Sequence, residues 1–347
     1  MSASTLDLSI VLSINERTKP ILDGRVQPQG IRLIPTGVHP SEMFWRQLKY
    51  QDFDVSEMSM SSLLIAASRG DRTWAALPVF TTREFFHTRA LVRVDAGIDK
   101  PADLKGKRIG VPEYQQTAAV WSRGALEHEF GVKASDMIWH MERTPEVSHG
   151  GSTGFTPPPG VTLHRIAMST NIGEMLIKGE LDATLLYLTD KNLVDRSRID
   201  LIGSGRVRRL FPDQQAEGRR FFAKTGLYPI NHGVVVRRSV LDKHPWVALN
   251  LYKAFVAAKE AAIAQMTASL EPYFATGLIG EGGAKAESGT DTLGPGVRLA
   301  LKGDPLGYGI KAARPVLETI TRYVHEQGLT SERVRLEDVF WPSTLEL

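Results

Sequence analysis

A polar loop between a predicted strand and a predicted helix is the part of this sequence best suited to bind an anion. Lys107–Val111 is predicted to form a short strand, which Pro112 ends because proline has no N–H to donate to a sheet. Glu113–Gln116 then forms the loop, and a helix is predicted to begin at Thr117. The first N–H groups of a helix have no intrahelical partner and lie at the positive end of its dipole, which favours a bound anion. The alternative is an ordinary strand-to-helix turn that Thr117 caps.

The nine histidines lack the spacing of a metal site. There is no His-Glu-x-x-His sequence and no close group of histidine and aspartate, so we expect no protein-held metal. The absence of cysteine excludes thiolate catalysis, and there is no Gly-x-Ser-x-Gly sequence for a serine nucleophile. Gly303–Gly309 has neither the spacing nor the preceding strand of a nucleotide-binding loop. We expect neither a metal nor an organic cofactor.

Predicted strands and helices alternate along the chain, which is typical of an α/β fold. The predicted strands are Leu6–Ser13, Ile31–Pro35, Asp54–Met58, Thr73–Leu77, Ala90–Val94, Lys107–Val111, Asp136–Met141, Val161–Arg165, Leu181–Tyr187 and Tyr228–Arg237. The helix that starts at Thr117 is predicted to end at Gly131, because glycine is the usual residue just past a helix C-terminus.

The same pattern predicts two lobes with a ligand cleft between them. Ile98–Gly106 is polar and contains proline, so we expect it to lead into a second lobe. The strand Tyr228–Arg237 is expected to return the chain to the first lobe. Lobe I is therefore predicted to comprise residues 1–97 plus 234–347 and lobe II residues 98–233, with crossings near 98–106 and 228–236. Polar loops at strand ends meet in such a cleft, where open sheets bind ligands.

Composition restricts the class of protein. The 347 residues are 42% hydrophobic and 23% charged, and their net charge is only +3, which does not favour nucleic acid as a partner. The sequence has no export signal and no apolar run of about eighteen residues, so no membrane partner and a cytoplasmic location are expected. A small molecule is the expected partner, and a homo-oligomer is left open.

Six segments, taken together and in order, resemble the 4,5-dihydroxyphthalate decarboxylase family, an enzyme branch of the type II periplasmic-binding-protein fold. They are Asp54-Val-Ser-Glu-Met-Ser, Pro78-Val-Phe-x-x-Arg83-x-x-x-His87, Gly110-Val-Pro-Glu-Tyr-Gln-x-Thr-Ala118, Gly179-Glu-Leu-Asp-Ala183, Arg209-Leu-Phe211 and Pro229-Ile-Asn-His232. The resemblance covers about residues 8 to 265. It implies a two-lobed α/β fold with a ligand cleft and a cofactor-independent decarboxylase of a hydroxylated aromatic carboxylate, such as 4,5-dihydroxyphthalate.

That reaction requires an anion site, a general acid and a dry region for the leaving carboxylate. A ring hydroxyl para to the carboxylate donates electron density, the ipso carbon takes a proton and carbon dioxide leaves. The resemblance implies that the catalytic residues are His232, His87 and Glu113, and that the substrate is bound by Arg83, Tyr114, Gln116, Thr117, Ser59 and Asn231. We expect His232, at the start of a crossing strand, to be the acid and His87 to orient the substrate.

Several of these roles have alternatives. Glu113 could accept hydrogen bonds from substrate hydroxyls, act as a protonated acid of raised pKa, or satisfy backbone N–H groups at a helix start. Arg83 could bind the substrate carboxylate as a planar fork or form a salt bridge between the lobes. Tyr114 could contact the ligand or pack in the core. For the whole protein, the main alternative is a non-catalytic solute-binding protein for a small aromatic carboxylate.

Overall fold

A computed structural model describes residues 5–275, 304 and 306–347, so part of the predicted lobe I segment 234–347 lies outside the described residues. The described strands are β1 (Leu6–Leu12), β2 (Ile31–Gly37), β3 (Val55–Ser59), β4 (Trp74–Arg83), β5 (Leu91–Arg93), β6 (Arg108–Val111), β7 (Ile138–Met141), β8 (Thr162–Arg165), β9 (Ala183–Thr184), β10 (Val207–Arg209) and β11 (Ile230–Arg237). The described α-helices are α1 (Lys19–Leu22), α2 (Pro40–Tyr50), α3 (Met60–Ser68), α4 (Thr117–Phe130), α5 (His149–Thr153), α6 (Ile172–Lys178), α7 (Gln214–Thr225), α8 (Arg238–Lys243), α9 (Trp246–Ala275), α10 (Ile310–Glu326) and α11 (Leu336–Val339). Short 3₁₀-helices occupy Phe86–Arg89, Pro101–Leu104, Ala134–Asp136, Pro145–Val147 and Pro342–Thr344.

The strands form two mixed sheets, one in each lobe, as the α/β pattern predicts. The first sheet has the order β2-β1-β3-β11-β4, in which β11 runs antiparallel to both of its neighbours. The second has the order β10-β5-β9-β6-β7-β8, with β9, β6, β7 and β8 parallel. Apolar residues of β1, β3 and β11 are buried because helices cover the faces of the first sheet.

The chain first passes between the sheets earlier than predicted. Strand β4 ends at Arg83 in the first sheet and β5 begins at Leu91 in the second, so the passage occupies residues 84–90 instead of 98–106. The reason is that Leu91–Arg93 pairs with both β9 and β10, a long-range pairing that a local pattern does not reveal. The division into lobes at these positions is accordingly our proposal, with the return near β11.

Two strands differ in length from their predictions more than the others do. Strand β4 continues past Pro78 to Arg83, because β-bulges shift its register against β11 between Ile230 and Val234. The predicted strand Leu181–Tyr187 is reduced to Ala183–Thr184, since the Thr184 hydroxyl donates to the Leu186 carbonyl at 2.8 Å and turns the chain. Both departures bring side chains to the space between the lobes.

Helix α4 begins and ends where the sequence predicts. It starts at Thr117, and Gly131 follows its last residue with a φ of 66°, the left-handed conformation that glycine adopts without steric penalty. The helix is buried along most of its length, so its N-terminus is held firmly beside the first lobe. Within the described residues, no helix is both long and apolar enough to cross a membrane.

Candidate active site

A cavity of about 160 Å³ lies between the two lobes. The N-termini of α2, α3 and α4 meet there, together with the start of β11 and the end of β4. It is lined by His39, Pro40, Ser41, Phe44, Ser59, Thr82, Glu84, Phe86, Arg89, Gln116, Thr117, Ala118, Arg143, His149, Leu186, Leu188, Asn231 and His232. The lining combines two arginines, three histidines and several hydroxyl groups with apolar side chains from both lobes.

His232 enters the cavity from β11 with a carboxylate behind it. Its Nδ1 lies 3.3 Å from the Oε2 atom of Glu57 on the adjacent strand β3. Glu57 is fully buried, whereas the His232 side chain keeps 9% exposure toward the cavity. A buried carboxylate at one ring nitrogen fixes the orientation of the imidazole and stabilises its protonated form, so the other nitrogen can exchange a proton with a ligand.

Glu57 is held as a carboxylate by a closed set of donors. The Ser13 backbone N–H and hydroxyl donate to Oε1 at 2.8 and 2.7 Å, and the Thr81 hydroxyl donates to Oε2 at 2.8 Å. Burial alone would raise the pKa of Glu57, but the hydrogen bonds and positive charge of His232, with those from Ser13 and Thr81, lower it below its usual value. Glu57 therefore remains ionised and faces His232 as an anion.

The second ring nitrogen of His232 lies 2.9 Å from the side-chain amide of Asn231. With the amide nitrogen in this position, Nε2 accepts and the ring is neutral with its proton on Nδ1. Turning the amide over presents its oxygen instead, which would accept from a protonated Nε2. Asn231 can therefore accompany His232 through both protonation states.

The N-termini of α3 and α4 bring three hydroxyl groups together. The Ser59 and Thr117 hydroxyls lie 2.8 Å apart, and the Ser61 hydroxyl lies 3.1 Å from that of Thr117. The Ser61 backbone N–H also donates to the Thr117 hydroxyl at 2.9 Å. Gln116 beside them is 7% exposed, and its Nε2 has no hydrogen-bond partner in the described part of the chain. A buried amide donor without a partner at a cavity wall is suited to a polar group of a ligand.

Arg143 is the deeply buried cation of the cavity, with a side chain only 2% exposed. Asp195 accepts from its Nε at 2.8 Å and its Nη2 at 3.2 Å, and the Ser41 hydroxyl lies 2.7 Å from Nη2. These contacts join α2 of the first lobe to the second lobe. The guanidinium is therefore fixed in place before any ligand arrives.

His149, the first residue of α5, contacts Arg143 on the cavity wall. Its Nδ1 lies 3.0 Å from the Ser62 hydroxyl and its Nε2 lies 3.5 Å from the Nη1 of Arg143. Burial, followed by the charges of Arg143 and His232, holds the pKa of His149 well below its usual value. The ring is therefore neutral near pH 7, and an arginine donor at Nε2 places its proton on Nδ1.

Glu113 does not line the cavity. Its carboxyl oxygens accept from the backbone N–H groups of His149 and Gly150, both at 3.2 Å, at the start of α5. Burial raises the pKa of Glu113 to about 7 against the opposing charge of Arg143. Of the interpretations open to the sequence, this geometry matches a carboxylate that satisfies backbone N–H groups, although the helix is α5 and not α4.

Arg83 and His87 also lie away from the cavity, which differs from expectation. Arg83 donates to the carbonyls of Tyr228 at 3.1 Å and Gly307 at 2.9 Å, so its guanidinium is directed to the backbone and away from the cavity, and it forms no salt bridge with any described residue. The Nε2 of His87 lies 2.9 Å from the carboxylate of Glu217 on α7. Neighbouring residues reach the cavity instead, because successive strand residues point to opposite faces and Thr82, not Arg83, faces inward.

Tyr114 is a core residue. It is fully buried, its ring meets Trp139 edge-on at 5.3 Å, and the guanidinium of Arg123 lies 3.8 Å from its centre. The ring of Tyr114 therefore packs in the core and does not line the cavity. The substrate-binding residues named from the sequence divide accordingly: Ser59, Gln116, Thr117 and Asn231 lie on the cavity, whereas Arg83 and Tyr114 do not.

Sequence reasoning missed Glu57, Arg143 and His149 as site residues. For Glu57 a signal existed, since a carboxylate in the middle of a predicted strand that is buried needs a partner. Arg143 and His149 follow β7 in a polar segment without a distinctive motif. No group of three or more histidine, cysteine or acidic side chains within residues 5–275 and 306–347 is placed to hold a metal ion.

Comparison with known proteins finds two relatives of similar sequence but no matching family model. No family model matches the chain. It is 34% identical over 343 residues to the 4,5-dihydroxyphthalate decarboxylase of Comamonas testosteroni, covering 99% of this chain and 98% of that protein. It is 40% identical over 180 residues to a 4,5-dihydroxyphthalate decarboxylase of Pseudomonas putida, covering 52% of this chain and 70% of that protein.

Solved structures show the same two-lobed architecture. The alkanesulfonate-binding protein SsuA from Xanthomonas axonopodis pv. citri, bound to MOPS, has a TM-score of 0.51 and 14% identity and covers 97% of this chain and 98% of its own. The periplasmic sulfonate-binding protein SsuA from Methylobacillus flagellatus KT has a TM-score of 0.52 and 13% identity, with coverage of 99% and 93%. At such identities the similarity concerns the fold alone.

Proposed function

Because this chain belongs to the 4,5-dihydroxyphthalate decarboxylase family and is a carboxy-lyase, we propose that it decarboxylates a hydroxylated aromatic dicarboxylate such as 4,5-dihydroxyphthalate without an organic cofactor. The observation that carries this proposal is the Glu57–His232 pair, which faces a cavity that also contains Arg143. A proton donor and an anion-binding group thus share one enclosed space.

The cavity is large enough to hold a single aromatic ring. Its volume is about 160 Å³, and an apolar cavity of about 150 Å³ accommodates benzene. Phe44, Phe86, Leu186 and Leu188 supply apolar surface. Donors from Gln116, Ser59 and Thr117 are available to ring hydroxyls and carboxylates.

His232 is assigned as the general acid. In the protonated ring, Nδ1–H points to Glu57. Nε2–H turns from the Asn231 amide to the ring carbon that bears the leaving carboxylate, and that carbon takes its proton. The para hydroxyl donates electron density into the ring as that C–H bond forms. The C–C bond then breaks, its electron pair restores the aromatic ring, and carbon dioxide departs. Neutral His232 regains its proton from water.

The apolar wall of the cavity favours this sequence of events. A carboxylate loses its charge as it becomes carbon dioxide, so a region of low polarity destabilises the reactant more than the transition state. His149 does not compete as the acid, because its pKa is held well below the usual value and the ring is neutral. Glu113 is turned away from the cavity toward α5.

The test is turnover of 4,5-dihydroxyphthalate by the purified protein in deuterated buffer. We expect one carbon dioxide per molecule of 3,4-dihydroxybenzoate, with one deuterium on the carbon that lost the carboxylate. His232→Asn is the control and should bind substrate but release carbon dioxide about 10²- to 10⁴-fold more slowly. Tight binding of the dicarboxylate without any turnover by the unmodified protein would contradict the proposal and favour a solute-binding protein.

A further inference from the structure

Resting on the proposed function, we propose that Arg143 binds the substrate's second carboxylate, which is adjacent to the one that leaves as carbon dioxide, and so decides which carboxylate is lost. An aromatic monocarboxylate with the same hydroxyl groups, including the product, then places its only carboxylate on Arg143 and is bound without being decarboxylated.

The free donors of Arg143 carry this inference. A guanidinium has five N–H donors in a planar fork. The Asp195 carboxylate accepts one hydrogen bond from Nε and one from Nη2, and the Ser41 hydroxyl lies 2.7 Å from Nη2. Nη1 is left with His149, whose Nε2 is 3.5 Å away, at the long limit of a hydrogen bond. Nη1 can therefore donate to a ligand carboxylate without losing the ion pair with Asp195.

The surroundings of Arg143 strengthen such a contact. Its side chain is 2% exposed and that of Asp195 is 1% exposed, so water competes little for the donor. Because Asp195 and Ser41 already hold the fork, little side-chain entropy is lost when a ligand binds. His149 on the same wall is neutral, so it can rotate away from Nη1 without leaving a buried charge unpaired.

The bound carboxylate is the retained one for an energetic reason. A carboxylate that leaves gives up its negative charge, and a strong ion pair with it would stabilise the reactant more than the transition state. The retained carboxylate keeps its charge throughout, so Arg143 can bind it without opposing the reaction. After turnover that single carboxylate is all the product offers, and the apolar wall that received the other is empty.

Arg89 is the other arginine of the cavity and provides a matched comparison. Its side chain is 38% exposed and its Nη1 lies 3.3 Å from the carboxylate of Glu84. An arginine in contact with water, and already facing an acid, contributes little to anion affinity. The selectivity should therefore depend on Arg143 and not on Arg89.

Calorimetric binding of phthalate, benzoate and the uncharged benzamide tests the inference directly, since none has the para hydroxyl needed for turnover. The unmodified protein should bind benzoate at least roughly tenfold more tightly than benzamide. Arg143→Gln should reduce the affinity for phthalate and for benzoate roughly ten- to hundredfold while changing benzamide affinity little. Arg89→Gln should keep the ratio of benzoate affinity to benzamide affinity. Arg143→Gln combined with Asp195→Asn removes both buried charges and should show the same loss with the fold intact by circular dichroism.

Two results would overturn the assignment. Equal affinities of the unmodified protein for benzoate and benzamide would show that Arg143 provides no carboxylate site. Loss of the preference for benzoate over benzamide in Arg89→Gln, with that preference kept in the Arg143 variants, would move the site to Arg89. Neither result depends on catalysis, so failure of the unmodified protein to turn over 4,5-dihydroxyphthalate, with binding selectivity intact, would count against the proposed function alone.

Discussion

The Nδ1 of His232 lies 3.3 Å from the Oε2 of Glu57, although 175 residues separate them in the sequence. The register of β3 and β11 explains the contact. His232 stands opposite Ser59, and Glu57 stands opposite Val234, so the two side chains are diagonal neighbours on one face of an antiparallel pair. Two rigid strands thus hold the acid–carboxylate pair.

Replacing Glu57 by glutamine should greatly reduce turnover. Without the carboxylate, the protonated ring is no longer stabilised, and an amide N–H toward Nδ1 reverses the tautomer. We expect kcat to fall by about 10² to 10⁴ with little change in KM. Steady-state kinetics over a pH series would measure this. Ser13→Ala removes only one donor to Glu57 and serves as the milder control; equal losses in both variants would indicate a purely structural role for Glu57.

The two histidines named from the sequence should behave differently. His232→Asn should lower kcat by about 10² to 10⁴ and leave substrate affinity nearly unchanged. His87→Asn removes a buried partner of Glu217 and should lower the free energy of unfolding by about 1–3 kcal/mol, with near-normal kcat. Denaturant unfolding and initial rates would separate the two effects. Abolished turnover in a fully folded His87→Asn would reverse the assignment.

Arg83→Lys should weaken the fold and not substrate binding. Arg83 joins β4 to the Tyr228 and Gly307 carbonyls with two separate nitrogens, and a lysine ammonium cannot reproduce that fork. The free energy of unfolding should fall by about 1–3 kcal/mol, while KM stays within about twofold. A tenfold rise in KM at unchanged stability would return Arg83 to the substrate site.

Glu113 should make the fold less stable as the pH rises. Burial raises its pKa to about 7 in the folded protein, against about 4.5 in an unfolded chain. Between these values the folded state binds more protons, so the free energy of unfolding decreases with rising pH by an amount on the order of 3 kcal/mol. His149, with its lowered pKa, contributes the opposite slope.

The Glu113 effect is therefore measured as a difference between proteins. Chemical denaturation of the unmodified chain and of Glu113→Gln from pH 5 to 8 isolates it, because His149 is common to both. The decrease in the free energy of unfolding with rising pH should disappear in Glu113→Gln. If that free energy had the same pH dependence in both proteins, Glu113 would be ionised throughout this range, with α5 and Arg143 compensating for its burial.

Local sequence patterns determined the elements and one wall of the site. Helix α4 begins at Thr117 and Gly131 ends it because helix termini follow from residue preferences within a few positions. The family resemblance named Ser59, Gln116, Thr117, Asn231 and His232, and all five line the cavity, since each stands at the end of a strand or the start of a helix. Such places are where α/β folds bind ligands.

Only the tertiary structure decided which charged residues face the ligand. Glu57 meets His232 through the register of two distant strands, and Arg143 is oriented by Asp195 and Ser41 from separate segments. Two residues that are adjacent in sequence can point in opposite directions. Thr82 lines the cavity, while Arg83 next to it is directed to backbone carbonyls. The physical reason is that side-chain direction alternates over a single residue, whereas charge pairing depends on segments brought together by folding.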